Sequence, residues 1–530
     1  MHPATLWEAI ADTVGDRPAQ VHGLRRSTWH QFDDRASRLA SALTAAGVGA
    51  GAKVGALLYN TPEYMETYFA ALKLRAVPFN INYRYTAPEV AYLLANADAE
   101  VLVYDTSLRD LVAAATADGP ALKALIEVGP HPRHVLGGVF CYEDLIAAHE
   151  PAPRIERSPD DVTMIYTGGT TGMPKGVVNK VGPALQYVLE NVPPLLGHAP
   201  LSVDTAVRFA AAHDTERLVA LPAPPLMHNT GLAMGALPAL ATGGTIVLLE
   251  DRRFDPDHLW DTVARDRVTN VVIVGDAFAR PMLAALRANP GRDLSCLQTL
   301  ASSGAMFSTE VKTGLLEHLP HVTILDLIGA SEGTMGLSIA TATAPVRTGE
   351  FTPAPGVIVL TPEGERIEPG SGIEGLVALP GGAEGYHKDD EKTAATFKVI
   401  DGVRYTIPGD WAIVEADGTL RLLGRGSQCI NTAGEKVFPE EVEEALKAHA
   451  AVEDALVFGV PDERFGQRVV AVLSRAPGTD EPTETIVDAL RASLAAYKLP
   501  RAVVVVDEIP RTDVGKADYP AARDLFEARS

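Results

Sequence analysis

The run Tyr166-Thr167-Gly168-Gly169-Thr170-Thr171-Gly172-Met173-Pro174-Lys175-Gly176 gathers glycines, hydroxyls and one lysine directly after an apolar stretch. Those residue types suit the handling of phosphate. Glycine lets backbone N–H groups approach phosphate oxygens closely, Thr167, Thr170 and Thr171 add hydroxyl donors, and Lys175 adds a positive charge. The Walker pattern fails, because no Gly-Lys followed by Ser or Thr occurs here or at Gly515-Lys516-Ala517. A nucleotide loop of another kind is the expectation. Standing alone, the segment reads equally well as a surface turn rich in Gly and Thr.

It does not stand alone. In order along the chain follow Pro225-Leu226-Met227-His228-Asn229, Ile328-Gly329-Ala330-Ser331-Glu332, Gly409-Asp410-Trp411, Gly424-Arg425 with Gly434-Glu435-Lys436-Val437, and Pro510-Arg511-Thr512 with Gly515-Lys516. Together these resemble the signature segments of the adenylate-forming superfamily, which contains acyl-CoA synthetases, peptide-synthetase adenylation domains and firefly-type luciferases. The resemblance extends from the region of Ser27-Thr28-Trp29 almost to the C-terminus. The run Asn431-Thr432-Ala433-Gly434-Glu435-Lys436-Val437-Phe438-Pro439 is similar to that of actinobacterial fatty-acid and steroid-acid CoA synthetases.

The resemblance implies a chemistry and a set of roles. A carboxylate attacks the α-phosphate of ATP, and charge builds on phosphate oxygens that a lysine and Mg²⁺ must stabilise. Lys516 is the implied lysine, and Glu332 with Thr170 the implied Mg²⁺ ligands, hard oxygen donors being suited to that ion. Nucleotide contacts fall on Thr167, Gly168, Gly169, Thr170, Thr171, Gly172, Lys175, Ile328, Gly329, Ala330 and Ser331. Asp410 is implied to accept hydrogen bonds from both ribose hydroxyls, and Arg425 to contact ribose or phosphate. His228 gates the acyl pocket and aligns the carboxylate, without a role in proton transfer. The pocket is expected among the helix near Tyr187, His228, Asn229, Ser303, Gly304, Ala305, Gly329 and Ala330. Ala433, Gly434, Glu435 and Lys436 line the tunnel for the thiol of CoA. Read singly, each has a plainer role: Glu332 at a helix start, Asp410 in a turn, His228 as a core histidine, Lys436 and Lys516 as solvated charges.

Three residues depart from the family pattern. Ile328 stands where many members carry a tyrosine that stacks on adenine, an interaction worth about 1–3 kcal/mol. Ala330 replaces a frequent Ser or Thr, and Ala433 the first of two glycines. Small residues at Gly304, Ala305, Gly329 and Ala330 leave room for a bulky apolar acid of terpenoid, steroid or long-chain type. The expected activity is an AMP-forming acid–thiol ligase using ATP, Mg²⁺ and coenzyme A. Left open beside it are a CoA ligase that takes only pre-formed acyl-adenylate, an adenylation enzyme that loads a carrier protein, and a non-catalytic acyl- or nucleotide-binding protein.

The elements that must position these residues alternate between helices and apolar strands. Helical spacing covers 37–46 and 64–74, and strand-like runs cover 53–58, 101–104, 245–249, 270–274 and 322–325. That is an α/β pattern with parallel-rich sheets. Short β runs between about 348 and 423 suggest a β-rich lobe of a domain covering 1–424. After a glycine-flanked hinge at 424–427, a small mobile α+β domain is expected at 428–530, with helices at 439–449 and 484–494 and strands at 454–460, 467–473 and 502–507. The stretch 218–249 lacks Asp, Glu, Lys and Arg, yet Pro222, Pro224, Pro225, Pro238 and Gly243-Gly244 break it, so strand, loop, helix and strand are expected and no integral membrane segment.

Composition fits this reading. A chain of 530 residues buries large cores, and a net charge of -22 argues against nucleic acid as a partner. Cys141, Cys296 and Cys429 lie far apart, which suits a reducing cytoplasm, and the N-terminus has no signal-peptide pattern. Cytoplasmic location is the expectation, and a homodimer is compatible with it.

Overall fold

Short β-branched runs become buried parallel strands where helices cover both faces of a sheet. The computed structural model, which describes residues 1–529 apart from 118, 131–138, 170–171, 214–216, 345–347, 426–427, 429, 433–434, 463–465, 493, 495 and 513–515, contains such sheets at its centre. In one, Pro18–His22, Thr245–Leu248, Val219–Pro222, Asn270–Ile273, Thr299–Ser303 and Thr323–Ala330 are successive parallel neighbours. In the other, Val162–Gly169, Val77–Asn80, Lys53–Leu57, Ala99–Asp105 and Ala124–Val128 run parallel.

Helices cover these sheets for reasons visible locally. Trp29–Ala45 opens with a capping box, the Thr28 hydroxyl accepting from the Gln31 N–H and the Gln31 side chain accepting from the Thr28 N–H. Its buried stripe of Trp29, Phe32, Ala36, Leu39, Ala40 and Leu43 follows helical spacing into the core. The stretch 218–249 forms the strand Val219–Pro222, a loop, the π-helical turn Thr230–Ala236 running into Leu237–Ala241, and the strand Thr245–Leu248. No described helix is long and apolar enough to cross a membrane.

The expectation of a loop needs adjustment. The glycine- and threonine-rich segment is the tip of a β-hairpin, in which Gly172–Lys180 pairs antiparallel with Val162–Gly169 and Lys175 lies in a strand opposite Thr167. Local composition signalled a loop, but strand pairing extends almost to its tip. The strands of the β-rich lobe connect to the first sheet. Gly333–Ala340 pairs with both Thr323–Ala330 and Glu350–Pro353, so the antiparallel strands to Phe397–Ile400 continue the first parallel sheet. Its apolar residues nevertheless form their own cluster, with Met335, Val377, Leu379, Ala412 and Leu420 buried.

Toward the C-terminus, the hairpin of Val452–Asp462 and Gly466–Arg475 takes Ala502–Val506 as a parallel neighbour. Val442, Leu446, Ile486 and Leu490 pack on one face of this sheet, and Ala522 and Phe526 of Tyr519–Arg529 on the other. The helix expected over 484–494 is shorter, Thr483–Ala489 followed by a 3-10 turn at Leu490–Ala492, and Tyr519–Arg529 was not anticipated.

A buried ion pair sits beneath the site-forming edge: Lys312 Nζ lies 2.5 Å from Asp326 Oδ2, on the strand that ends at Ala330. Burial pushes the Asp326 carboxyl above its ordinary value, against the pull of the Lys312 charge. Removing one partner leaves a buried charge uncompensated, which costs about 3–5 kcal/mol, whereas replacing both with apolar residues is often near neutral. Lys312→Ala is therefore expected to lower the urea midpoint strongly, and Lys312→Met combined with Asp326→Leu to recover most of it.

Candidate active site

In open parallel sheets, ligands bind beyond the carboxyl ends of the strands. Here such edges of both sheets converge. Pro222 leads into the loop carrying His228, Ser303 into Gly304-Ala305, and Thr323–Ala330 into Ser331-Glu332, while the second sheet contributes Asn80 and Gly169. Two side-chain amides, of which that of Asn80 is buried, join the edges. Asn80 accepts from the Tyr166 N–H at 2.7 Å and donates to the Tyr166 carbonyl at 2.9 Å and the Met227 carbonyl at 2.6 Å. Asn60 accepts from the Leu226 N–H at 2.7 Å and donates to the Pro224 carbonyl at 3.1 Å. The phosphate-type hairpin and the His228 loop are thereby held together.

On one side of this junction the chain turns at Gly304. Gly304 has φ +90°, and a Cβ built on it would sit 3.5 Å from Thr230 Oγ1, 3.7 Å from Lys516 Cε and 3.9 Å from Val274 Cγ1. On three neighbouring strands, Val272, Ala301 and Leu325 are buried, with Leu195, Met234, Leu327 and Leu337 packed around them. The helix Val181–Leu195 turns Val181, Leu185 and Leu189 inward, whereas Tyr187 lies off that stripe and is 44% exposed. Tyr187 is thus partly exposed, on the helix whose Leu195 packs against Val272, Ala301 and Leu325.

His228 is largely enclosed, and its Nε2 has no hydrogen-bond partner among the described residues. Burial first, then the positive charges of Lys516 and Arg84, pushes its imidazole down to about 4. At neutral pH it is uncharged, an orphaned polar atom of the kind a ligand satisfies.

The other side of the junction is polar. Tyr386 donates its hydroxyl to Glu332 Oε1 at 2.5 Å, and Lys175 Nζ lies 5.9 Å from the Tyr386 ring centroid. Asp410, 9% exposed, stands opposite Arg425 across a strand pair. Ile328 and Ala330 pack against the apolar cluster of Met335, Leu379 and their neighbours, so no aromatic ring occupies position 328.

The expected residues are therefore brought together in part. Lys516, His228 and Gly304 meet, and Lys175 and Glu332 share Tyr386 as a neighbour. Thr170, Thr171, Ala433, Gly434 and Gly515 lie outside the described residues, as do the side chains of Arg425, Glu435 and Lys436. Sequence reasoning missed Asn60, Asn80, Arg84 and Tyr386. A signal existed for the asparagines: a polar amide immediately after a buried apolar strand, as in Pro78-Phe79-Asn80, stands where chains converge.

Comparison with known proteins agrees with this arrangement. Residues 6–387 match the family model of the AMP-binding enzyme, and residues 441–516 that of the AMP-binding enzyme C-terminal domain. A medium/long-chain-fatty-acid–CoA/3-oxocholest-4-en-26-oate–CoA ligase of Mycobacterium marinum is 40% identical, over 99% of this chain and 96% of the relative. A 3-oxocholest-4-en-26-oate–CoA ligase of Rhodococcus rhodochrous is 41% identical over 98% of this chain and 95% of its own. In fold, an anthranilate CoA ligase solved with anthranoyl-AMP superposes with a TM-score of 0.85 at 24% identity, covering 100% of this chain and 98% of that one.

The proximity of Lys516 to His228 has a measurable electrostatic consequence. With a folded value near 4 and an unfolded value of about 6.5, His228 binds fewer protons when folded, so its contribution weakens stability as pH falls through that window. Lys516→Ala removes one of the charges that depress it. Selective histidine labelling and NMR titration are expected to show the His228 midpoint moving upward in that variant. An unmoved midpoint would place Lys516 away from His228 in solution.

Proposed function

Since this chain belongs to the AMP-binding, adenylate-forming enzymes, we propose that it joins a bulky apolar carboxylic acid to coenzyme A in two steps. A carboxylate oxygen attacks the α-phosphorus of ATP, the bond to the departing pyrophosphate breaks, and acyl-AMP forms. The CoA sulfur then attacks the acyl carbonyl, and AMP leaves. The acid is of fatty or steroid type, as named for its relatives, and the small residues Gly304 and Ala305 support that choice.

One observation carries the reading. Lys516, from the C-terminal unit, lies beside Gly304 and near His228. A cation there lies at the junction of an acid's head group and a phosphate, where negative charge develops. His228, uncharged and with Nε2 unpaired among described groups, suits alignment of the carboxylate. Asp410 suits the ribose hydroxyls and Lys175 the outer phosphates. For Mg²⁺, Glu332 with Thr170 supplies hard oxygen donors, and the held orientation of the Glu332 carboxylate fits that use. Bound there, the ion would offset phosphate charge. The segment 433–436 is the proposed lining of the thiol tunnel.

The pivot between the half-reactions is proposed at Gly424, where φ is +113° and a Cβ would lie 2.1 Å from Glu440 Oε2 on the helix Pro439–Lys447. Phe438 packs against Trp411, Ile413 and Leu423 across the same junction. A small packed cluster flanked by glycine suits reversible docking.

The test supplies fatty and steroid acids with MgATP and CoA and detects thioesters by mass spectrometry. Thioester from such acids is expected, and binding without product would sink the proposal. Lys516→Ala is expected to slow acyl-adenylate formation by about 10²–10³-fold while sparing thioester formation from supplied acyl-adenylate. Equal loss of both steps would make the lysine structural. Gly424→Ala introduces a Cβ at positive φ, a cost of about 1–3 kcal/mol to the present orientation. It is expected to slow adenylate formation roughly tenfold more than thioester formation, in stopped-flow assays of each step.

A further inference from the structure

The segment 381–387 straps together parts of the polar half of the site that are far apart in sequence. Its two-residue strand Gly385–Tyr386 pairs antiparallel with the return strand of the hairpin, Gly385 opposite Val178 and Tyr386 opposite Val177. The backbone N–H groups of Glu384 and His387 donate to the carbonyls of Val178 at 2.7 Å and Gly176 at 2.8 Å. At its other end, the Ala383 N–H donates to the Glu332 carbonyl at 3.0 Å. Gly382 has φ +87°, and a Cβ there would fall 2.4 Å from the Glu332 carbonyl oxygen, so the strap lies against the Glu332 backbone as closely as glycine permits.

Tyr386 stands at the centre of this strap, 8% exposed. Its N–H donates to Thr393 Oγ1 at 2.9 Å, and its ring meets Phe397 at 5.6 Å between centroids. Lys175 Nζ and Lys392 Nζ each lie 5.9 Å from the ring centroid. Its hydroxyl donates to Glu332 Oε1. We infer that Tyr386 is a positioning residue for the cation-binding carboxylate of Glu332, fixing it against the phosphate hairpin; this rests on the reading of Glu332 given above.

The chemistry of the donor supports this. A glutamate side chain loses several rotamers on binding a cation, and a partner that holds it beforehand removes that cost. An Arg or Lys donor would also hold it, but would offset the negative charge the cation needs. A phenol donates a proton in a hydrogen bond while remaining neutral, so the carboxylate keeps its full charge for a metal ion. Because the strap also grips Gly176 and Val178, the carboxylate is set relative to Lys175 and not only relative to its own strand. A plainer role, filling space under the strap, is served by the ring alone.

Tyr386→Phe separates the two, since it keeps the ring, its contact with Phe397 and its lysine neighbours and removes only the hydroxyl. The direct readout is Mn²⁺ binding, followed by electron paramagnetic resonance, to the full-length protein carrying a non-cleavable α,β-methylene ATP analogue. Tyr386→Phe is expected to weaken Mn²⁺ roughly 10–100-fold, the usual range for loss of an outer partner of a metal ligand. In turnover assays it is expected to raise the Mg²⁺ requirement of adenylate formation, leaving KM for the acid, thioester formation from supplied acyl-adenylate and the melting temperature unchanged. Phe397→Leu, which disturbs the packing of the ring without touching the hydroxyl, is expected to bind Mn²⁺ as the unmodified protein does. Unchanged Mn²⁺ affinity in Tyr386→Phe, with affinity lost in Glu332→Gln, would reduce Tyr386 to packing and overturn this inference alone. Unchanged affinity in Glu332→Gln would instead overturn the assignment of Glu332, and the inference with it.

Discussion

The side-chain amide of Asn80 is the contact on which the site's geometry depends. It satisfies both backbone groups of Tyr166, just before the glycine-rich hairpin tip, and the carbonyl of Met227, just before His228. Each such bond contributes only about 0.5–1.5 kcal/mol net, but leaving a buried carbonyl or N–H unmet costs about 1–3 kcal/mol. The edges of two sheets are therefore not free to slide past one another without orphaning polar groups. Asn60 repeats the device one loop away, on Leu226 and Pro224. The hairpin and the His228 loop, proposed to serve nucleotide and acid, are thus parts of one junction, and near-attack alignment would require such fixity.

Electrostatics is arranged locally against the global balance. A protein of net charge -22 repels anions at a distance, yet ATP and a carboxylate are both anionic. At physiological salt the screening length is about 8 Å, so charges within the junction outweigh the distant excess. Lys516, Lys175 and Arg84 are placed near it, and burial keeps His228 uncharged, so it adds a polar atom without competing for the carboxylate as a cation. Glu332, held by a neutral phenol, retains the charge that a cation would meet.

Glycine matters most at two places. At Gly304, positive φ turns the chain beside Lys516, and at Gly424 positive φ and the missing side chain allow the chain to pass Glu440 into the C-terminal unit. The second, as proposed, sets when the lysine is present. At both, glycine supplies a backbone conformation that a side chain would strain.

Much of this was legible in the chain itself. Runs such as Asn270-Val271-Val272-Ile273 announced buried strands, the proline pattern resolved 218–249, and the order of short motifs pointed to the family before any contact was known. Those signals are local, because strand tendency, chain breaking and residue type need no distant partner. Tertiary structure alone decided that the glycine-rich segment is a hairpin with Lys175 in a strand, that the β-rich strands continue the parallel sheet, and that Tyr187 is partly exposed. It also brought Asn80, Tyr386 and Lys516 to their partners. Register, helix facing and such meetings are set by which apolar surfaces bury together and which buried polar groups must then be satisfied, and those are properties of the closed fold and not of any one segment.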